Sequence, residues 1–321
     1  MPALINRRGF LQGISALVLA PYLRTSDAQE MPRSRFGAKS TAEEVTNGID
    51  LTGTTALVTG CNSGIGYETM RVLALRGAHV LGTARSPEKG ETACASIKGR
   101  ATPLVLELTD FDSVVACAKQ VRAMDLPLDM LICNAGVLLS KPAQVNGLEM
   151  HFVVNHLGHF ILVNRLMAPL LAAPQGRVVV VGSRAHRHVP EGGIQFQDLT
   201  TESNWRGGSA YGHSKLANGL FSLELANRLQ GTDATSNCIH PGLVDTNIFR
   251  HRSVRRFSNM KTVQEGAATT CYVATHPALA SVSGYYFADC NPVEPSAYMR
   301  DPKMAAKLWK VSEKLAAGYL A

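Results

Sequence analysis

Long apolar runs are missing from this chain: no segment reaches the about eighteen continuous apolar residues that a membrane-spanning helix needs. The seven cysteines include no C-x-x-C pair, and their spacing fits neither a zinc site nor a disulfide framework. There is no low-complexity tract and no internal repeat, which excludes solenoid and linker-type chains. No G-x-S-x-G elbow occurs, so a hydrolase of that type is excluded. No Lys-Ser/Thr pair follows the glycines near residue 60, which excludes a Walker A loop.

What is present points to one large globular domain: 321 residues, 45% hydrophobic and 18% charged. The net charge of +7 is dispersed, and with no nucleic-acid module in view it does not indicate nucleic acid as a partner. The densest basic run, Arg250 to Arg256, reads as a solvated loop. At the N-terminus, Arg7-Arg8, an apolar stretch from Ile14 to Ala20 and Ser26-Asp27-Ala28 follow in the order of a leader. The arrangement resembles a twin-arginine signal peptide over residues 1–28. Such a leader implies the twin-arginine export machinery as a partner and a periplasmic or exported protein, or a cytoplasmic one where the leader does not function. Residues 29–50 read as a polar lead-in, and the main domain as 51–321.

From there short apolar runs alternate with helix-length patterns, the signature of a parallel sheet with crossover helices. Strands are predicted near Thr55–Thr59, Ala78–Thr83, Pro103–Leu108, Asp129–Cys133, Arg177–Val181, Ser236–Ile239 and Gly284–Phe287. A long helix is predicted from about Leu148 to Leu171, and others from Gly64, Ala210 and Pro302. Between the first strand and first helix lies Gly60-Cys61-Asn62-Ser63-Gly64-Ile65-Gly66. Glycines there let the backbone turn tightly and approach a pyrophosphate, which the helix N-terminus then meets with free N–H groups. An NAD site ordinarily ends the second strand with an acid that binds the ribose. Here the strand ends Gly82-Thr83-Ala84-Arg85, and the first acid is Glu88. Arg85 offers a planar cation to a ribose phosphate instead, favouring NADP.

Tyr211 and Lys215 are four apart, so on a helix both project from one face. A neighbouring ammonium, with a bound nicotinamide cation, would favour the phenolate. Ser183 ends the valine-rich strand at the edge where open parallel sheets bind ligands. Asn155 is a polar amide in an apolar stretch, which needs hydrogen-bond partners if buried. His156 and His159, with His151 nearby, could suit a metal but read as packed side chains. Ser86 before Pro87 reads as a helix N-cap.

Taken in order, the glycine turn, Cys133-Asn134-Ala135-Gly136, Asn155, Ser183, Tyr211 with Lys215, and His240-Pro241-Gly242 resemble the short-chain dehydrogenase/reductase family. Ser40 to Val45, Val154 to Phe160 and Ala288-Asp289-Cys290 make the likeness strongest to retinol dehydrogenases and the WW-domain oxidoreductase. The resemblance implies a single doubly wound Rossmann-type α/β domain with a mainly parallel, seven-stranded sheet. It implies an oxidoreductase moving a hydride between NADP(H) and an alcohol or carbonyl, of retinoid, steroid or other apolar type. Tyr211 would be the general acid/base, Lys215 its partner on the nicotinamide ribose, Ser183 the substrate-oxygen anchor and Asn155 the holder of a relay water. Gly60, Asn62, Ser63, Gly64, Ile65, Gly66 and Arg85 would bind the phosphates. Asn134, Ala135 and Gly136 would line the adenosine ribose, and Glu107 and Leu108 would meet the adenine. Pro241, Gly242, Val244 and Thr246 would flank the nicotinamide. Family members commonly have Asn where Cys133 stands and Asp where Glu107 stands, which puts the adenine contact in doubt. An epimerase or dehydratase on the same fold would use another glycine spacing, and a non-catalytic NADP-binding sensor would lack a catalytic residue. A homo-oligomer is left open. Cys61 and Cys133, on strands that a doubly wound order makes neighbours, read as independent apolar fillers rather than a redox pair.

Overall fold

The computed structural model describes residues 33–200, 206–249 and 260–320. The expected leader and the basic run Arg250 to Arg256 lie outside the described residues. The strands are β1 (Thr55–Thr59), β2 (His79–Ala84), β3 (Arg100–Val105), β4 (Met130–Cys133), β5 (Gln144–Val145), β6 (Leu148–Glu149), β7 (Arg177–Val181), β8 (Thr235–His240), β9 (Tyr286–Ala288) and β10 (Asn291–Pro292). Eight form one sheet in the order β10-β9-β8-β7-β4-β1-β2-β3, while β5 and β6 form a separate hairpin. The pairs from β3 to β9 are parallel, and β9 with β10 is antiparallel. Every residue of β1, β2, β4, β7 and β8 is buried, because helices cover both faces of the sheet. The strand order reverses beside β1, whose neighbours are β2 and β4, and this is the switch point where open α/β sheets bind ligands.

Three sequence expectations need correction. The sheet has eight strands, not seven. The extra one, β10, follows a two-residue turn in which Asp289 and Cys290 both have positive φ, 52° and 58°. Such hairpin turns ordinarily carry glycine or asparagine, so this one leaves no sequence signal. Strand β3 begins at Arg100 rather than Pro103. Pro103 is accommodated because β3 is an edge strand, and Leu106 and Leu108 beyond it drop into the core. The predicted long helix starts at Met150 and is broken into Met150–Phe152, a π-wound stretch Val153–Leu157, Gly158–Arg165 and Met167–Ala172. Before it, Asn146 and Gly147, with φ of 52° and 75°, turn β5 into β6.

Residues 33–50 fold onto the domain. Thr41 and Glu44 form a capping box at the start of the short helix Ala42–Val45. Phe36 packs edge-on against Tyr272, ring centroids 5.9 Å apart. On the other side of the sheet, Phe160, Phe221 and Trp309 form an aromatic cluster, with Trp309 4.9 Å from Phe160 and stacked at 5.7 Å on Phe221. All seven cysteines are free and buried. Burial raises the Cys61 and Cys133 thiols well above their usual range, as suits apolar fillers.

Candidate active site

The glycine turn leaves β1 and enters the helix Gly64–Leu75. Gly60 has φ +73°, a region that side chains other than glycine rarely adopt. A Cβ on Gly66 would stand 2.2 Å from the Gly60 carbonyl and 2.5 Å from the Asn134 amide, so only glycine lets the helix sit this close to the strand end. Ser63 is the helix N-cap but makes no side-chain cap bond, and the first turn holds no acid. The positive end of that helix therefore keeps N–H groups for an anion, as a bound pyrophosphate requires. Asn62 is exposed, and Ser63, Gly64 and Ile65 are half-buried at the rim of the same turn. Thr246 closes on it from the far side, since a Cβ on Gly64 would touch the Thr246 methyl at 3.4 Å.

Arg85 stands just beyond β2 with its guanidinium largely exposed, 3.9 Å from Glu107. The other Glu107 oxygen accepts the Thr109 N–H at 2.9 Å. Leu108 is buried, and both its side chain and its carbonyl pack against Gly158. The Asn134 amide donates to the Thr59 carbonyl at 2.8 Å, so it clamps the turn. Val244 is likewise buried, against Gly266. Pro241 and Gly242 follow β8, and Gly242 lies against the stem of Lys261. The turn thus fits the pyrophosphate of a dinucleotide, with Arg85 exposed beyond it and the side chains of Leu108 and Val244 buried.

The catalytic candidates converge at the ends of β4 and β7. Ser183, two residues past β7, lies within electrostatic reach of the Tyr211 phenol. Tyr211 and Lys215 lie on the helix Gly207–Arg228, with the Lys215 ammonium 5.7 Å from the Tyr211 ring centre. Burial pushes the phenol up to about 12, against the pull of Ser183. In the protein alone, burial therefore outweighs the lowering anticipated from Lys215, and the phenol carries its proton at neutral pH. Burial also lowers Lys215 to about 8. Asn155 lies in the π-wound stretch, where Gly158 N–H bonds back to the Val153 carbonyl. Such local widenings gather at functional sites. Its amide oxygen accepts the Val137 N–H at 2.8 Å, and its amide nitrogen donates to Ser214 Oγ at 2.9 Å and the Val137 carbonyl at 3.2 Å. Gly136 packs beside it, with the Asn155 oxygen 3.0 Å from where a Cβ would be.

Three further contacts have no counterpart in the sequence reading. His186 donates from Nδ1 to the Ser183 carbonyl at 2.6 Å and accepts the Ser296 N–H at 3.1 Å, fixing the backbone at Ser183. His151 bonds Glu149 at 2.6 Å and accepts the Leu139 N–H, placing its ring edge-on to Tyr211 at 5.9 Å. Lys261 pairs with Asp289 at 2.6 Å and bonds the Leu243 carbonyl through its backbone, stapling the segment after β8. Only spacing hints at them in sequence: Ser183 and His186 are three apart, and Asp289 falls in the Ala288-Asp289-Cys290 run. His156 bonds Ser312, so it and His151 are accounted for by packing partners.

The family model described as short chain dehydrogenase matches residues 54–256. The chain belongs to the short-chain dehydrogenase family. It is 41% identical over 304 residues to the short-chain dehydrogenase TIC 32 A, chloroplastic, of Brassica napus, covering 88% of this chain and 95% of that one. It is 43% identical over 281 residues to retinol dehydrogenase 12 of Homo sapiens, covering 83% and 87%. A solved structure of an uncharacterized protein from Mycobacterium paratuberculosis superposes with a TM-score of 0.72 at 33% identity, covering 85% of this chain and 97% of that one. The short-chain dehydrogenase is thus an oxidoreductase acting on CH–OH or C=O groups. The chloroplastic relative overturns the expectation of a twin-arginine leader and a periplasmic enzyme. Paired arginines ahead of a short apolar stretch are too generic a pattern to carry that assignment.

Proposed function

We propose that residues 51–321 form an NADP(H)-dependent reductase or dehydrogenase for an apolar alcohol or carbonyl compound of the retinoid or steroid type. The observation that carries this reading is the convergence of Tyr211 and Ser183, with the buried Lys215 one helical turn from Tyr211 and its ammonium 5.7 Å from the ring centre. NADPH, when bound, supplies the hydride. Ser183 and Tyr211 then hold the substrate oxygen between two hydroxyls, and Tyr211 passes its proton to that oxygen in the reductive direction. Lys215 supplies a positive charge beneath the phenol that favours its deprotonated form after the transfer. Asn155 holds the loop from Gly136 to Val137 against that helix.

Arg85 and the missing acid at the end of β2 support NADP(H) over NAD(H). The likeness to retinol dehydrogenase 12 supports a retinoid-like substrate. The test is a panel of retinaldehyde, steroid ketones and aliphatic aldehydes assayed by NADPH absorbance with wild type and Tyr211→Phe. Turnover of a panel member by wild type, abolished in Tyr211→Phe with NADPH binding retained, is expected. Wild-type turnover that survives in Tyr211→Phe would remove Tyr211 from its role.

A further inference from the structure

His159 lies four residues beyond Asn155, and its Nδ1 is 3.2 Å from the Asn155 carbonyl. A carbonyl only accepts, so Nδ1 carries the proton. Burial holds the imidazole neutral, lowering it to about 4, and the Lys215 charge acts in the same direction. Nε2 is then an acceptor, and the Thr59 hydroxyl donates to it across 2.9 Å. The Ile132 carbonyl competes for that proton only at 3.3 Å. The Thr59 oxygen in turn accepts the N–H groups of Asn134 and Ala135, both at 2.9 Å. Beyond Asn155, its amide donates to Ser214 Oγ, which donates to the Tyr211 carbonyl at 2.8 Å.

Two runs of hydrogen bonds therefore meet at Asn155: one reaches its backbone carbonyl from the Asn134–Ala135 turn through Thr59 and His159, and the other leaves its side-chain amide for Ser214 and the backbone of Tyr211. Thr59, His159, Asn155 and Ser214 are all buried. Both ring nitrogens of His159 are used, and in one tautomer only.

We propose that His159 is a positioning residue that couples the cofactor-binding turn to Asn155 and, through it, to Tyr211. The inference rests on the oxidoreductase reading above for its effect on turnover. Its effect on NADPH binding and its tautomer do not depend on the substrate.

The experiment uses the full chain with NADPH. In wild type labelled with 15N-histidine, the resonance lost in His159→Gln should report a neutral, Nδ1-protonated ring near pH 7. A ring protonated on Nε2 overturns the proposal without any need for a stable variant to be active. His159→Phe keeps the volume and removes both bonds. It should lower kcat by about tenfold or more with substrate KM little changed. It should also weaken NADPH binding by about threefold, and the double variant with Thr59→Val should bind no worse than Thr59→Val alone. Thr59→Ser, which keeps the hydroxyl, should restore wild-type behaviour. A folded His159→Phe protein with wild-type kcat and NADPH affinity, or losses that multiply in the double variant, would mark His159 as a cross-link of the fold alone. If wild type turns over no carbonyl compound, the oxidoreductase reading fails, while the tautomer and the NADPH cycle still decide the coupling.

Discussion

The ammonium of Lys215 donates a 2.8 Å hydrogen bond to the carbonyl of Val181, the last residue of β7. Asn218 donates to the same oxygen at 3.1 Å. The strand that leads to Ser183 therefore also anchors the lysine, and Asn218 shares the same carbonyl. Serine, tyrosine and lysine are held by one strand end and one helix, which leaves little freedom between them.

Lys215 is lowered to about 8 by burial, so its charge is lost as pH rises through that value. Cofactor affinity and reductive turnover should both decline above about pH 8 while Tyr211 remains protonated. A kcat/KM profile between about pH 6 and 10 checks this. Lys215→Arg should move the alkaline limb upward; an unshifted limb would assign it to another group.

Removing the guanidinium in Arg85→Ala should weaken NADPH binding by about 1.5–3 kcal/mol, the worth of a charge-assisted hydrogen bond. NADH affinity should hardly change. Fluorescence titration of both cofactors distinguishes this from a general loss. Equal wild-type affinities for NADPH and NADH would refute the preference.

Four buried histidines stay neutral to low pH: burial lowers His156 to about 3 and His159, His213 and His240 to about 4. Unfolded, each takes a proton near 6.5. The unfolded state thus binds more protons below that value, so their contribution to stability is complete above it and is lost as pH falls toward 4. Each contributes a slope of about 1.4 kcal/mol per pH unit in that window. Melting temperature should drop steeply between about pH 6.5 and 4.5. A flat profile there would show that these rings are hydrated.

Gly66→Ala puts a methyl against the Gly60 carbonyl, which is backbone and cannot swing aside. The expected cost is about 1–3 kcal/mol of stability, with loss of NADPH binding, read by thermal melts and titration. Retained binding would mean that the helix can slide outward.

Trp309→Ala should cost about 3–5 kcal/mol, because the ring is buried against Phe160 and Phe221 and is covered by Arg228 at 4.1 Å. Urea unfolding measures it. A change below about 1 kcal/mol would show that the cluster collapses into the gap.

The alternation of buried apolar runs and helix-length segments made β1, β4 and β7 legible almost to the residue, since each is a continuous run buried on both faces. Edges are harder to read. At β3 the apolar residues that look like a strand, Leu106 and Leu108, belong to the loop that plugs the core, and the true strand is half-exposed. Asn146-Gly147 is a strong hairpin signal that was masked by the helical pattern starting at Leu148. In the site, Ser183, Tyr211 and Lys215 could be placed because spacing and strand ends constrain them. His159, His186 and Lys261 could not, because their partners are far off in sequence or are backbone atoms, to which composition and periodicity are blind.

The two borders of the sheet share a further property. Pro103 on β3 and Pro292 on β10 have no N–H to offer, and β10 is only two residues long. Ser34 also lies across the β10 border, donating to Asn291 Oδ1 at 2.9 Å and to the Cys290 carbonyl at 2.9 Å, while Asn291 donates to the Phe36 carbonyl. Prolines, short borders and covering segments are how natural sheets avoid templating another strand. A second chain seeking to extend this sheet would meet a broken row of donors on one side and an occupied one on the other. The same residues that finish the fold thus protect it from edge-to-edge aggregation.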